Sequence, residues 1–252
     1  MLNLRTRAAR LREANAQRRS IRSMERRLRT SLTREFNRVA REAANTYPRI
    51  NRAFQAHITR LTAILRQGVR SSAITGANRA HEAVARAVAA RKIASAEELN
   101  VQILQWADRH VASRVGHIAR TTSKRLNRVI VDGIANQDPP AEIARAIRDE
   151  LPRMSAARAD TIARTETAAA MNKGQHDVME NAEQELGVKM TKNWVATEDD
   201  RTRETHAAAD GQTVKLDADF EVGDAELEFP SDPNGPPEEV INCRCAVTYD
   251  MI

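Results

Sequence analysis

The sequence predicts a mostly α-helical protein, a helical N-terminal region followed by a small α+β C-terminal domain with a short sheet. Three observations predict it. Aromatic residues are only 3% of the 252 while alanine and arginine abound, which favours helices packed through small side chains. Apolar residues early in the chain recur in steps of three and four, the spacing of one helix face. After Gly187 the pattern shifts to short β-prone runs separated by Asp-Gly and Pro/Gly/Asn turns.

The elements follow in order. Ile21, Met24, Leu28, Leu32, Phe36 and Val39 form one apolar stripe, with arginines over the remaining faces. Pro48 marks a break. Ile50, Phe54, Ile58, Leu61 and Leu65 make a second stripe that should end near Gly68 or Gly76, with Ala-rich turns in "NRAHEAVARAVAARK" after it. Residues from Glu97 to about Ile134 read as one or two further helices. In "NQDPPAEIARAIRDELP" Asp138 and the two prolines suit a helix start, Ile143, Ile147 and Leu151 face inward, and Pro152 should stop the turn. Ser155 then opens a helix to about Leu186, with Gly187 as its C-cap. The strands expected beyond it lie in "VKMTKNWVA", "QTVKL", "LEFP" and "CAVTY", which puts a small α+β domain at about 155–252. Three segments result: a basic helical arm at 1–47, a helical region at 48–136, and a third domain at 137–252, with helices to about 187 and short strands at 188–252.

Charge divides the chain in a similar way. Residues 1–60 carry 16 Lys/Arg against 4 Asp/Glu, residues 61–190 carry 19 against 15, and residues 191–252 carry 5 against 15. Ends of opposite sign point to different partners or to ends that meet. Every basic residue in 1–60 is arginine, whose fork grips phosphates and carboxylates, so Arg18, Arg19, Arg22, Arg26, Arg27 and Arg29 are candidate partner or nucleic-acid contacts. Only Phe36, Tyr47 and Phe54 accompany them, too few aromatics for base stacking. The apolar stripe of the arm would itself need a protein partner if it were exposed. No apolar run nears the roughly 20 residues of a membrane span, and the N-terminal stretch lacks the apolar core of a secretory signal. Two cysteines make no disulfide framework, so a reducing compartment is expected.

Chemistry concentrates in "KNWVATEDDRTRETHAAADGQTV" and in the closing "INCRC". A helical turn in "RTRETHAAA" would put Arg203 and His206 on one face. On a strand, Cys243 and Cys245 would present both sulfurs to one side and Arg244 to the other. His206, Cys243 and Cys245 then supply three ligands, with Asp199, Asp200 or Asp210 as a fourth, and imidazole plus two thiolates suits zinc. The alternative is two small reduced cysteines packing the last strand. The run "ARTET" is similar to the Arg…Ser/Thr-x-Glu pattern of ADP-ribosyltransferases but lacks the second carboxylate, so Glu166 is expected in an ion pair with Arg164, Arg158 or Arg203. His57, His81, His110, His117 and His176 read as solvated or core-edge residues. The sequence has no Gly-rich phosphate loop and no G-x-S-x-G elbow.

"RADTIARTETAAAMNKG", the "KNWVATEDD…" run, "FP" and "INCRC", in this order and spacing, resemble the phage head morphogenesis family of Mu F-like minor head proteins over about residues 137–252. The family signature falls on Trp194, Asp200, Arg201, Arg203, His206, Asp210, Gly211, Cys243, Arg244 and Cys245, and Arg164 and Glu166 lie in the motif that precedes it. The resemblance implies a non-enzymatic minor capsid protein that joins the portal protein during prohead assembly. It places the protein in the host cytoplasm during assembly and in the virion, at the capsid interior or portal vertex. Scaffold or major capsid protein and packaged double-stranded DNA, held without sequence preference, are the further candidate partners. Two other readings stand beside it. One is a phage-delivered nuclease or transferase using the Asp200/His206/Cys243 neighbourhood. The other is a simple DNA-binding protein acting through the basic arm.

Overall fold

The computed structural model describes residues 6–47, 49–87 and 96–252. Four long helices come first: α1 (Arg7–Thr46), α2 (Asn51–Ala87), α3 (Ala96–Ala135) and α4 (Pro140–Leu186). The order continues β1 (Met190–Val195), α5 (Glu204–Ala208), β2 (Thr213–Lys215), β3 (Phe220–Val222), β4 (Ala225–Leu227), α6 (Pro237–Val240) and β5 (Ala246–Met251). The helical region and the short C-terminal sheet are as expected, and Gly187 ends α4 at φ 63°. The chain forms two compact units, one of residues 1–25, 69–107 and 164–252, the other of residues 26–68 and 108–163.

Several boundaries differ from the sequence reading. α2 does not stop at Gly68 or Gly76, and what was read as Ala-rich turns is helix as far as Ala87. Pro48 and residues 88–95 lie outside the described residues, as do the side chains of Glu97, Leu151, Pro152 and Ser155. α4 runs without interruption through Pro152, where a stop and a fresh start were expected. A proline inside a helix costs roughly 3 kcal/mol. Burial of Ile143 and Ile147 before it and Ala159 and Ile162 after it outweighs that cost. The strand β3 was not foreseen; its three residues pair with β4 and bury Phe220 and Val222.

The all-helical unit packs Ala40, Ala43 and Ala44 of α1 against Leu126 of α3 and Ile143 and Ile147 of α4. Leu28 of α1 lies against Gly68, which has no Cβ to push it away. Phe36 is tilted against His57 at 5.9 Å and carries the Arg158 guanidinium over its ring at 5.4 Å. His57 is fully buried rather than solvated, because Glu35 lies 2.9 Å from its Nδ1 and Arg60 bridges Glu35 to Glu42. The stripe of α1 is therefore consumed inside the protein, Leu28, Leu32, Phe36 and Val39 here and Ile21 in the other unit, and it requires no external partner.

In the second unit α2 and α4 meet backbone to backbone. A Cβ on Gly76 would stand 2.1 Å from the Met171 carbonyl oxygen, and one on Gly174 2.1 Å from that of Ala73. Ala73, Ala77, Ala168, Ala169 and Ala170 are all buried nearby in sequence, the small-residue packing that the low aromatic content implied. β1 is the centre of a three-stranded antiparallel sheet, ordered β2-β1-β5, with Trp194 opposite Val247. Leu11 and Ala14 of α1 pack on Val195 and Ala246. Arg10 donates from Nε and Nη2 to Asp250 at 3.2 and 3.0 Å, and Ile21 and Met24 pack on Ala168 and Met171. The first turns of α1 are thus part of this unit's core.

Candidate metal centre and the cavity beside it

His206 sits on the single-turn helix α5, and Cys243 and Cys245 lie in the loop between α6 and β5. The cysteines are therefore not on a strand as expected, since β5 starts one residue later. Both sulfurs nonetheless reach one point, within 4.8 Å of each other and of the His206 nitrogen. His206 Nδ1 is 3.3 Å from Cys245 Sγ and 3.7 Å from Cys243 Sγ. A nitrogen and a sulfur bound to one tetrahedral zinc stand about 3.5 Å apart, from bond lengths of about 2.0 and 2.3 Å. All three donor side chains are buried. The residues fit zinc in distance and in donor chemistry.

The other ring nitrogen, Nε2, lies 3.0 Å from Glu239 of α6, close but misaligned for a hydrogen bond, and Thr205 donates to the same carboxylate oxygen at 2.9 Å. A carboxylate behind a ligating imidazole fixes the ring and its tautomer. Trp194 meets the imidazole edge-on, with centroids 5.4 Å apart. Electrostatics already favour charge separation here. Cys243 is held well below the ordinary thiol range, first by the Cys245 thiol donating to it and then by His206, and Cys245 is pushed up first by making that hydrogen bond, then by burial and by the Cys243 charge. Burial works against a charged His206, but the bond to Cys243 and its charge outweigh burial and raise the imidazole.

The fourth ligand expected from the aspartates is not supplied. Asp199 accepts a two-pronged contact from Arg244, which holds its carboxyl well below the usual range. Asp210 caps the end of β1 by accepting from the Ala196 amide at 2.8 Å and pairs with Arg7 at 3.0 Å. Asp200 is exposed and is absent from the group of donor atoms. Gly211, at φ 80°, makes the turn from which its amide returns to the Trp194 carbonyl at 2.9 Å. Arg203 precedes α5 and donates to the Ile241 carbonyl.

Four residues that hold this arrangement were not read in these roles from the sequence. Asn242 turns the chain into Cys243 at φ 61°, a conformation asparagine tolerates. Its amide donates to Thr165 Oγ1 and its side-chain oxygen accepts from Arg164 Nη1, each at 3.1 Å. The "ARTET" run thus positions the cysteine loop, and Arg164 also pairs with Glu25 at 3.2 Å. Glu166 beside it is buried. Glu239 is the third such residue and Arg18 the fourth. Expected on a partner-facing surface, Arg18 instead donates from Nη2 to the carbonyls of Val195 and Ala196 at 2.9 and 2.8 Å and from Nε to that of Arg244 at 3.4 Å. Burial lowers its pKa first, with Arg22 and Arg244 adding repulsion. Arg19 and Arg22 in this unit, and Arg26, Arg27 and Arg29 in the other, are exposed.

Both cysteines and five arginines (Arg18, Arg22, Arg164, Arg201, Arg244) line one cavity of about 390 Å³, against two acidic groups, Glu25 and Asp199. Residues 124–248, from within α3 to within β5, match the family model described as phage Mu protein F like protein. Over these residues, just under half of the chain, the sequence is similar to the phage Mu F-like family. The Mu F-like region contains the whole candidate centre and most of the cavity wall.

The chain is also 32% identical over 139 residues to the NAD(+)–arginine ADP-ribosyltransferase EFV of Enterococcus faecalis (strain ATCC 700802 / V583), covering 55% of this chain and 28% of that protein. It is 30% identical over 131 residues to YqbB, an uncharacterized protein of Bacillus subtilis (strain 168), covering 50% of this chain and 41% of that one. The chain therefore spans less than half the length of these curated relatives. No solved structure matches it. Among the described residues no helix is long and apolar enough to cross a membrane.

Proposed function

We propose that the protein is a minor head protein that docks on the portal during prohead assembly, with a C-terminal region held together by a structural zinc at His206, Cys243 and Cys245. The observation that carries this reading is that three donors with zinc-like spacing are buried in the Mu F-like region, beside a cavity lined by the exposed Arg22 and Arg201. Zinc there would cross-link α5 to the loop before β5, and the arginine forks would take acidic side chains of the portal or scaffold, or phosphates of packaged DNA. Deleting the N-terminal turns is not a clean test, since Leu11, Ala14 and Arg18 belong to the core. The experiment is charge reversal of Arg19, Arg22, Arg26 and Arg27 in the full chain, followed by co-purification with the portal protein and counting of copies per prohead. Wild-type incorporation by a folded reversal variant removes the arginine docking surface.

One observation favours an enzyme instead. Three protein ligands leave a coordination position open, the pattern of catalytic rather than structural zinc, and the same cysteines line an arginine-rich cavity. The relative named for NAD(+)–arginine ADP-ribosyl transfer raises the same question, although the match covers 28% of it. Coordination number decides between these readings: four protein-like donors in the X-ray absorption spectrum support the structural role, and a bound water supports the enzyme. Incubation with labelled NAD and arginine-bearing acceptors tests transfer directly, and turnover that Glu166→Gln abolishes would establish the enzyme.

A further inference from the structure

We infer that His176, Glu180 and Glu228 form a second divalent-cation site, of the class taken by manganese or zinc, in the unit that holds the sheet. His176, read from the sequence as solvated or core-edge, is 1% exposed. It shares a face of α4 with Glu180 four residues on, and Glu228, just after β4, approaches from the sheet side. His176 Nε2 lies 3.1 Å from Glu228 Oε1 and 3.6 Å from Glu180 Oε1, and the three donor atoms are mutually within 4.8 Å. Donors bound about 2.1 Å from one ion stand about 3.0–3.4 Å apart, so small side-chain movements would close this set on a metal.

The surroundings favour a cation over an accidental cluster. On the far side of the ring, Nδ1 is 3.4 Å from the buried Tyr249 hydroxyl, the kind of outer contact that aims Nε2 at a metal. Phe229 packs on the ring at 5.7 Å. Glu228 is anchored through its backbone, its amide donating to Asp232 at 3.1 Å and its carbonyl accepting from Lys192 Nζ at 2.8 Å. Lys173 pairs with Asp177 and Lys192 donates to the Glu228 carbonyl, so the Glu180 and Glu228 carboxylates share His176 as a contact with both ammonium groups nearby. Both glutamates keep part of their surface in solvent, which gives an ion a way in.

Oxygen-rich donors favour manganese, whereas the two-thiolate site does not, so Mn²⁺ separates this site from the one at His206. Titration of the full chain with Mn²⁺, followed by the paramagnetic resonance of the free ion, should show one saturable site per chain. Glu180→Gln, at a half-exposed position that will not disturb folding, should weaken it about tenfold or more, and His176→Ala should abolish it. Co²⁺ should bind in part without the sulfur-to-cobalt charge-transfer band that reports the cysteines, and this component should vanish in Glu180→Gln. Absence of saturable Mn²⁺ binding, or equal affinity in Glu180→Gln, overturns the site and leaves His176 in ordinary contact with two carboxylates.

Discussion

The Cα of Gly76 in α2 faces the backbone carbonyl of Met171 in α4 so closely that a methyl group there would sit 2.1 Å from the oxygen. Gly174 stands in the same relation to Ala73. No rotamer change relieves a clash with backbone, so Gly76→Ala and Gly174→Ala should each lower stability by about 3 kcal/mol or more. A Cβ on Gly116 in α3 would meet only an Arg120 side-chain nitrogen, at 3.7 Å. Gly116→Ala should instead raise stability by up to about 1 kcal/mol, because alanine suits a helix interior better. Urea melts of the three variants check both signs, and a wild-type melt for Gly76→Ala would rule out the close approach.

Metal removal should loosen the sheet-bearing unit. The chain purified without chelator should carry about one zinc at the thiolate site, and less than about 0.2 equivalents would remove it. Cys243→Ser with Cys245→Ser, or chelation of the wild type, should open residues 164–252 to limited proteolysis. Zinc should restore protection to the chelated wild type and not to the double variant.

Arg18 and Arg22 lie one helical turn apart, yet should differ in what they contribute. Arg18→Ala strips three carbonyls of a charged donor and should cost about 2 kcal/mol. Exposed Arg22→Ala should stay within about 0.5 kcal/mol of wild type in the same melt.

The Asp199–Arg244 contact should make stability pH-dependent in one direction. Its folded-state pKa is depressed, first by the Arg244 fork, so its contribution is present above the ordinary aspartate range and is lost as pH falls through the folded value. The advantage of wild type over Asp199→Asn in urea midpoint should be full at neutral pH and shrink with acid. Added salt should reduce it, because Asp199 is at the surface.

The helices were legible because their apolar spacing is regular, and the stripe from Ile21 to Val39 is buried in the helical state it predicts. Their ends were less legible. A glycine that breaks a helix and one that lets two helices touch look alike in a single chain, so Gly68 and Gly76 were misread. Pro152 raised the same ambiguity, since only tertiary burial decides whether a helix survives it. At the candidate centre the donors His206, Cys243 and Cys245 could be named from their chemistry alone. Glu239, Thr165 and Arg18 could not, because their parts depend on pairings across long stretches of chain. Asn242 could have been found, standing directly before Cys-Arg-Cys as one of the few residue types at ease with positive φ.

Arg10 and Asp250 are separated by 240 positions yet share a hydrogen bond in one compact unit. Arg10, Leu11 and Ala14 therefore lack their partners on β1 and β5 until β5 has been synthesised, although Glu13 can meet Arg79 earlier. The all-helical unit needs nothing beyond residue 163 and can assemble earlier in synthesis. Closing so long a loop is slow. In that interval Leu11 and Ala14 remain uncovered, so the nascent chain is open to capture by chaperones or by other copies of itself until β5 appears.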